Sequence, residues 1–213
     1  MGNKLIFCTS LIRKGTESRW KNWFEYYSEL FPEFDLIAFN DGLIEGVFDP
    51  KWKVVQLAPH LGRESTWIFP GWKRSFAEAL LYAIRAGYKR IIHIESDLYI
   101  RVKSRDRYCL FFNRNGYYAG FSKKYCMLDS SLQVLNNPLI VVELINYFRK
   151  EENQYKDEFA EDPISRMTDP ENFYFLGERL EGPEEEDLKI LENKKMEYFA
   201  QFNYDKWSKY LWE

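Results

Sequence analysis

The sequence predicts an α/β domain with a mostly parallel sheet flanked by helices, and three observations support that class. Short apolar runs recur at Lys4 to Thr9, Asp35 to Phe39 and Ile91 to Ile94, apolar at consecutive positions as strands buried on both faces are. Stretches with helical spacing of apolar residues lie between them. The order strand, helix, strand, loop, helix, strand follows βαβ logic, in which helices cover a parallel sheet.

The first strand begins almost at the N-terminus and ends at Thr9-Ser10. A helix follows over Glu17 to Leu30, with Trp20, Trp23, Phe24, Tyr27 and Leu30 at helical spacing and Pro32 as its stop. Asp35 to Phe39 forms the second strand and runs into the turn formers Asn40-Asp41-Gly42. Trp52 to Leu57 makes a third, shorter strand. A basic loop containing Gly62 and Arg63, then Lys73 and Arg74, precedes a helix with Phe76, Ala79, Leu80, Ala83 and Ile84 on one stripe. Ser75 and Glu78 have the spacing of a capping box, and Gly87 suits the C-terminal stop.

That helix leads into Ile91 to Ile94 and then Glu95-Ser96-Asp97. Beyond it the alternation is less regular. Tyr108 to Phe112 and Tyr117 to Phe121 read as strands around a hairpin turn at Asn113 to Gly116, and Ser131 to Leu135 as another strand. Leu139 to Arg149 reads as a helix, and Glu158 to Pro163 opens a short one. We therefore expect one domain over 1–213, with a first half to about residue 100 and a smaller mixed second half with a C-terminal tail.

The chain has 213 residues, enough for a sizeable core, and its 46% hydrophobic and 30% charged residues fit a globular protein. A net charge of -3 gives no basic excess of the kind nucleic acid requires. Aromatic residues reach 18%, and the surplus of Trp and Tyr suits surfaces that stack on sugars or bases. Cys8, Cys109 and Cys126 are odd in number and lack metal-ligand spacing, which fits a reducing compartment. No segment has a signal-peptide pattern or a bilayer-spanning apolar run, so the expectation is a cytoplasmic protein without a membrane span.

Glu95 and Asp97 carry the strongest chemical signal. A buried strand ending in two acids needs a positive partner, because a desolvated, unpaired carboxylate is costly. That partner is either a divalent cation or a basic side chain. On a continuing strand the spacing would put both acids on one face, at the sheet edge where open α/β folds hold ligands.

These features resemble the GT-A family of nucleotide-sugar glycosyltransferases. The resemblance rests on the early strand ending at Thr9-Ser10, the strand ending at Asn40-Asp41-Gly42, and the helix running through Gly87 into Ile-Ile-His-Ile-Glu-Ser-Asp. It covers roughly the first 125 residues in order of elements. Glu95 departs from the usual first Asp of the acid-x-acid motif. The resemblance implies a Rossmann-like nucleotide-binding half and an acceptor-binding half. It implies Mn or Mg at Asp97 with Glu95 assisting, and a UDP-sugar donor rather than a GDP-sugar. The donor site would comprise Thr9, Ser10, Arg13, Asp41, Glu95 and Ser96, with Arg63, Lys73 and Arg74 as alternatives for meeting the diphosphate. The acceptor would be a hydroxyl of a glycan or glycoprotein.

The resemblance also implies a catalytic base at Asp162, chosen over its neighbour Glu161, with Asp129 as an outside candidate. A helix-opening acid explains the pair nearly as well without chemistry. Retaining members often carry a C-terminal histidine ligand, and no histidine follows His93, which favours inversion. His93, inside a strand, reads as a hydrogen-bonded core residue. Two rivals stand beside this reading. A sugar nucleotidyltransferase should have more glycines after its first strand than Thr9 to Gly15 offers, and a non-catalytic nucleotide- or carbohydrate-binding protein would share the fold without the activity.

Overall fold

The computed structural model describes residues 3–10, 17–43, 49–65, 67–122, 127–167, 175–181, 198–200 and 204–212. Four parallel strands form one side of the sheet: β1 (Lys4–Ser10), β2 (Asp35–Asp41), β3 (Lys53–Leu57) and β4 (Arg90–Ile94). The second half adds β5 (Tyr99–Ile100), β6 (Gly116–Ser122), β7 (Met127–Asn136), β8 (Phe175–Glu181) and β9 (Tyr198–Ala200). The strand order is β3-β2-β1-β4-β7-β6-β8-β9-β5, with β7 antiparallel to both β4 and β6. The expected class, a mostly parallel α/β sheet flanked by helices, is the class observed.

Two apolar layers sandwich the sheet, and the strands feed both by period-two alternation. Ile6, Cys8, Ile92 and Ile94 point to one side, where α1 (Glu17–Leu30) buries Trp20, Trp23, Phe24 and Tyr27. Leu5, Phe7, Ile37, Phe39 and Ile91 point to the other side. There α2 (Pro70–Arg85) buries Phe76, Ala79, Leu80 and Ala83 beside α4 (Pro138–Phe148). With both faces covered, β1 and β4 are apolar at nearly every position. That is why they read as continuous runs rather than alternating ones.

Three expectations are corrected. Tyr108 to Phe112 is helical, within α3 (Arg105–Phe112), not a strand. Tyr108 and Phe112, one turn apart, are buried while Leu110 is exposed, so only one helical face meets the core. Asn113 to Gly116 therefore joins a helix to β6 and is no hairpin turn. The helix predicted to be capped at Ser75 begins at Pro70, where proline suits the first turn, and leaves Ser75 buried in its interior. Among the described residues no helix is long and apolar enough to cross a membrane.

A register break between Ala119 and Gly120 matters most for the site. Ala119 pairs with Gln133 but Gly120 with Asp129, so Ser130, Ser131 and Leu132 bulge out of that ladder. A Cβ on Gly120 would lie 2.7 Å from the Tyr198 hydroxyl and 3.1 Å from the Asp129 Cβ, so the close approach requires glycine. Bulges re-aim side chains, and in this one the Ser130 hydroxyl meets Glu161.

Candidate active site

Glu95, Ser96 and Asp97 follow directly on the C-terminal end of β4. β4 stops at Ile94, and Glu95 to Asp97 form a turn before β5, so the two acids are not on one face of a continuing strand. They remain neighbours in space. Burial raises the pKa of the Cys8 thiol near the end of β1, and the nearby Glu95 and Asp97 carboxylates raise it further. Glu95 Oε1 accepts the indole N–H of Trp72 at 3.3 Å. Asp97 lies 3.5 Å from Arg19 on α1, with the carboxylate 22% and the guanidinium 49% exposed. Ser96 between them is buried.

Beneath the acids sits His93, fully buried against the rings of Phe7, Phe76 and Trp72. Its Nδ1–H donates to the Ser130 carbonyl at 2.9 Å, which leaves Nε2 to accept from the Thr9 hydroxyl at 3.3 Å. Burial lowers its pKa to about 3, so it is neutral. The predicted core role of His93 is the one it has, and Thr9 spends its hydroxyl there. Gln133 extends the network, donating to the Ser130 carbonyl at 2.7 Å and accepting from Tyr117 at 3.0 Å. Nothing in the sequence marked Gln133 or Tyr117, because a register partner is known only once the strands are paired.

Three of the donor-site expectations meet a different arrangement. The Asp41 carboxylate is only 4% exposed and accepts from the backbone N–H groups of Leu61 (3.2 Å) and Gly62 (2.7 Å) and from Arg74. His60 Nδ1 adds a 3.0 Å contact. Arg74 also donates to the carbonyls of Leu57 (2.8 Å) and Pro59 (2.6 Å). A buried charge must be paired, and these two pair with each other and with the loop between β3 and α2. Arg74 and Asp41 are thus engaged with each other and with that loop.

Lys73 is likewise engaged inside the protein. It is 0% exposed and donates to the carbonyls of Asn153 (3.0 Å) and Lys156 (3.1 Å), with Glu158 at 3.8 Å. Burial lowers its pKa, and the Glu158 carboxylate works against that shift. Glu158 also takes Tyr147, Lys156 and Arg166, so one knot ties α2 to the segment before α6 (Glu161–Met167). Of the three bases, only Arg63 is on the surface, its Nε donating to the Ser65 carbonyl at 2.7 Å and its guanidinium over Phe69. Ser10 closes β1, while Arg13 and Cys126 lie outside the described residues.

The acids that open α6 have separate settings. Glu161 Oε1 accepts from the Ser130 hydroxyl at 2.6 Å and its N–H at 3.3 Å, and burial raises its pKa. Asp162 Oδ2 accepts the Phe159 N–H at 3.1 Å, and Oδ1 takes no hydrogen bond among the described residues. Asp129 is buried, with Oδ1 taken by the Ser131 N–H (3.0 Å) and hydroxyl (2.5 Å). Ser130 thus links α6, through Glu161, to His93 on β4. Among the described residues no three His, Cys, Asp or Glu side chains come together as a metal cluster. Paired carboxylates are nonetheless hard oxygen donors of the type a divalent cation shared with phosphate oxygens takes, and Glu95 and Asp97 are the two such groups at the end of β4.

No protein-family model and no curated protein matches the sequence. Solved structures do match. A glycosyltransferase involved in the glycosylation of the major capsid of PBCV-1 superposes with a TM-score of 0.55 at 9% identity, covering 92% of each chain. The galactosyltransferase LgtC, solved with donor and acceptor sugar analogs, has a TM-score of 0.51 at 9% identity, over 92% of this chain and 86% of its own. The glycosyltransferase GlyE of Streptococcus pneumoniae TIGR4 gives 0.54 at 11%, over 98% of this chain but 57% of its own length. This chain has the fold these structures share. Within it Ser130 on β7 joins Glu161, through its hydroxyl, to His93 on β4, through its carbonyl.

Proposed function

We propose that the protein is a glycosyltransferase that moves a sugar from a nucleotide-sugar, a UDP-sugar first, to a hydroxyl of a glycan or glycoprotein. The observation that carries the reading is the pair Glu95 and Asp97. Two acids stand at the end of a buried central strand, in the shared fold, where the Trp72 indole donates to Glu95 and the exposed Arg19 lies against Asp97. Bound there, Mn or Mg would supply the positive charge that a departing diphosphate needs. Asp97 is the ligand and Glu95, oriented by Trp72, assists it. Arg19 is exposed enough to leave Asp97 when a stronger cation arrives. Arg63 is the surface base left to meet the diphosphate.

Asp162 acts as the base that takes the proton of the acceptor hydroxyl, with inversion at the sugar. Its free Oδ1 favours it over Glu161, whose buried carboxyl is held by Ser130, and over Asp129, which Ser131 engages. Incubating the protein with UDP-sugars, with and without Mn, and measuring release of UDP tests the reading. Metal-dependent release supports it. Binding without any release would assign the fold to a non-catalytic nucleotide-binding protein instead.

A further inference from the structure

We infer that Trp67 and Phe159 form a stacking platform for one pyranose ring of the acceptor. The identity of the ring as an acceptor rests on the proposed function. The two side chains come from distant parts of the sequence, yet their ring centroids are 4.3 Å apart at 63°. They remain 45% and 38% exposed, although aromatic rings of this size normally go into a core. The other large exposed apolar side chains (Leu43, Ile84, Leu110, Leu139, Val142 and Trp212) belong to other segments. None is described in contact with a second exposed ring.

Both rings are held in place by their own backbones. Ser65 Oγ accepts the N–H groups of Trp67 (3.1 Å) and Ile68 (3.2 Å), and Glu64 N–H closes the loop on the Ile68 carbonyl at 3.1 Å. On the other side, Asp162 takes the Phe159 N–H, while the Lys73 and Glu158 knot clamps the residues just before it. A surface fixed before binding loses little conformational entropy when a ligand arrives.

Its chemistry selects a sugar. Two rings in a T-shaped pair offer an apolar area the size of one pyranose, which presents C–H groups on one face and hydroxyls at its rim. Glu64 and Asp157 are exposed on the same two segments and suit those hydroxyls. A lipid chain would need a longer apolar track than two rings provide. Location agrees as well: Trp67 leads into the helix whose Trp72 touches Glu95, and Phe159 is hydrogen-bonded to Asp162. The platform therefore belongs to the two segments that carry the site's acids and their contacts.

The test is saturation-transfer NMR of the full chain with lactose, cellobiose and chitobiose as probes. At least one disaccharide should receive saturation on its ring protons. Trp67→Ala and Phe159→Ala should weaken its affinity roughly five- to fiftyfold, the scale of one lost aromatic contact. Trp212→Ala, which removes an equally exposed indole elsewhere, should leave binding unchanged. Phe159→Leu keeps apolar volume and a folded chain while removing the ring, and it should also weaken binding. No binding by any of the three sugars, or equal loss in Trp212→Ala, overturns the platform. So does binding of octyl glucoside through its alkyl chain alone. UDP-sugar hydrolysis by wild type without acceptor is the separate readout, and it reports on the transferase reading alone. If wild type shows no hydrolysis but binds a disaccharide through Trp67, the platform stands and the transferase reading fails.

Discussion

Arg74 and Asp41 form a buried ion pair that fastens the start of α2 to the end of β2. Because the same carboxylate holds two backbone N–H groups, Asp41→Ala should destabilise the fold by about 3–5 kcal/mol, the range for breaking one side of a buried pair. Urea unfolding measures it. Arg74→Ala should cost a similar amount, and the double variant less than the sum of the two. A stable Asp41→Ala protein that has lost only nucleotide affinity would restore the ribose contact expected from the sequence.

Gly71 sits against that pair. A Cβ built there would stand 2.1 Å from Asp41 Oδ2 and 2.9 Å from the Gly62 carbonyl. Neither neighbour can yield without breaking the knot. Gly71→Ala should therefore lose about 1–3 kcal/mol or more through overpacking, even though alanine is the better helix former. Thermal denaturation would show it, and an unchanged or raised Tm would mean that the knot is looser than described.

His93 gives the protein an acid-sensitive core. Its pKa in the fold is about 3 against 6.5 in the unfolded chain, so below pH 6.5 the unfolded state binds a proton that the native state does not. Its contribution is fully present above pH 6.5 and is lost as pH falls toward 3, by about 1.4 kcal/mol per pH unit. Stability measured between pH 4 and 6.5 should have a shallower slope in His93→Gln than in wild type. Parallel slopes would mean that the imidazole can be protonated in place.

Much of this was legible in the sequence and some was not. β1, β2, β4, α1, α2 and α4 carry strong periodicity because each buries one stripe or two faces, and they appear where the pattern puts them. Tyr108 to Phe112 misled because a five-residue aromatic run fits a strand as well as one helical face, and only packing decides. That two acids follow the end of β4 was legible from the apolar run that precedes them. The fates of Lys73, Arg74 and Asp41 were not, since a charge next to a glycine-bearing loop looks the same whether it faces a ligand or an internal partner. Glu158, the centre of the second knot, left no signal beyond opening a predicted helix.

The two acids of α6 separate chemistry from architecture. Asp162→Asn keeps an oxygen to accept the Phe159 N–H but removes the proton acceptor, so transfer should fall by roughly two to four orders of magnitude. Glu161→Gln preserves an acceptor for the Ser130 hydroxyl and should leave transfer within about threefold, since its carboxyl holds Ser130 rather than the acceptor's proton. Acceptor-dependent turnover of both variants decides. The reverse pattern would move the base to Glu161.

The central claim, that Asp97 and Glu95 hold a cation with the donor's diphosphate, can be tested without disturbing the fold. Among the described residues Asp97 pairs with the exposed Arg19, so Asp97→Asn should change stability by less than about 1 kcal/mol. The decisive measurement is the thermal shift of wild type and Asp97→Asn with a UDP-sugar, with Mn, and with both together, because a ligand that binds only the native state raises its Tm. Wild type should be stabilised markedly by both together and little by either alone, and Asp97→Asn should lose that joint shift. An equal shift in both proteins, or no shift in wild type with UDP-sugar and Mn together, would contradict the account.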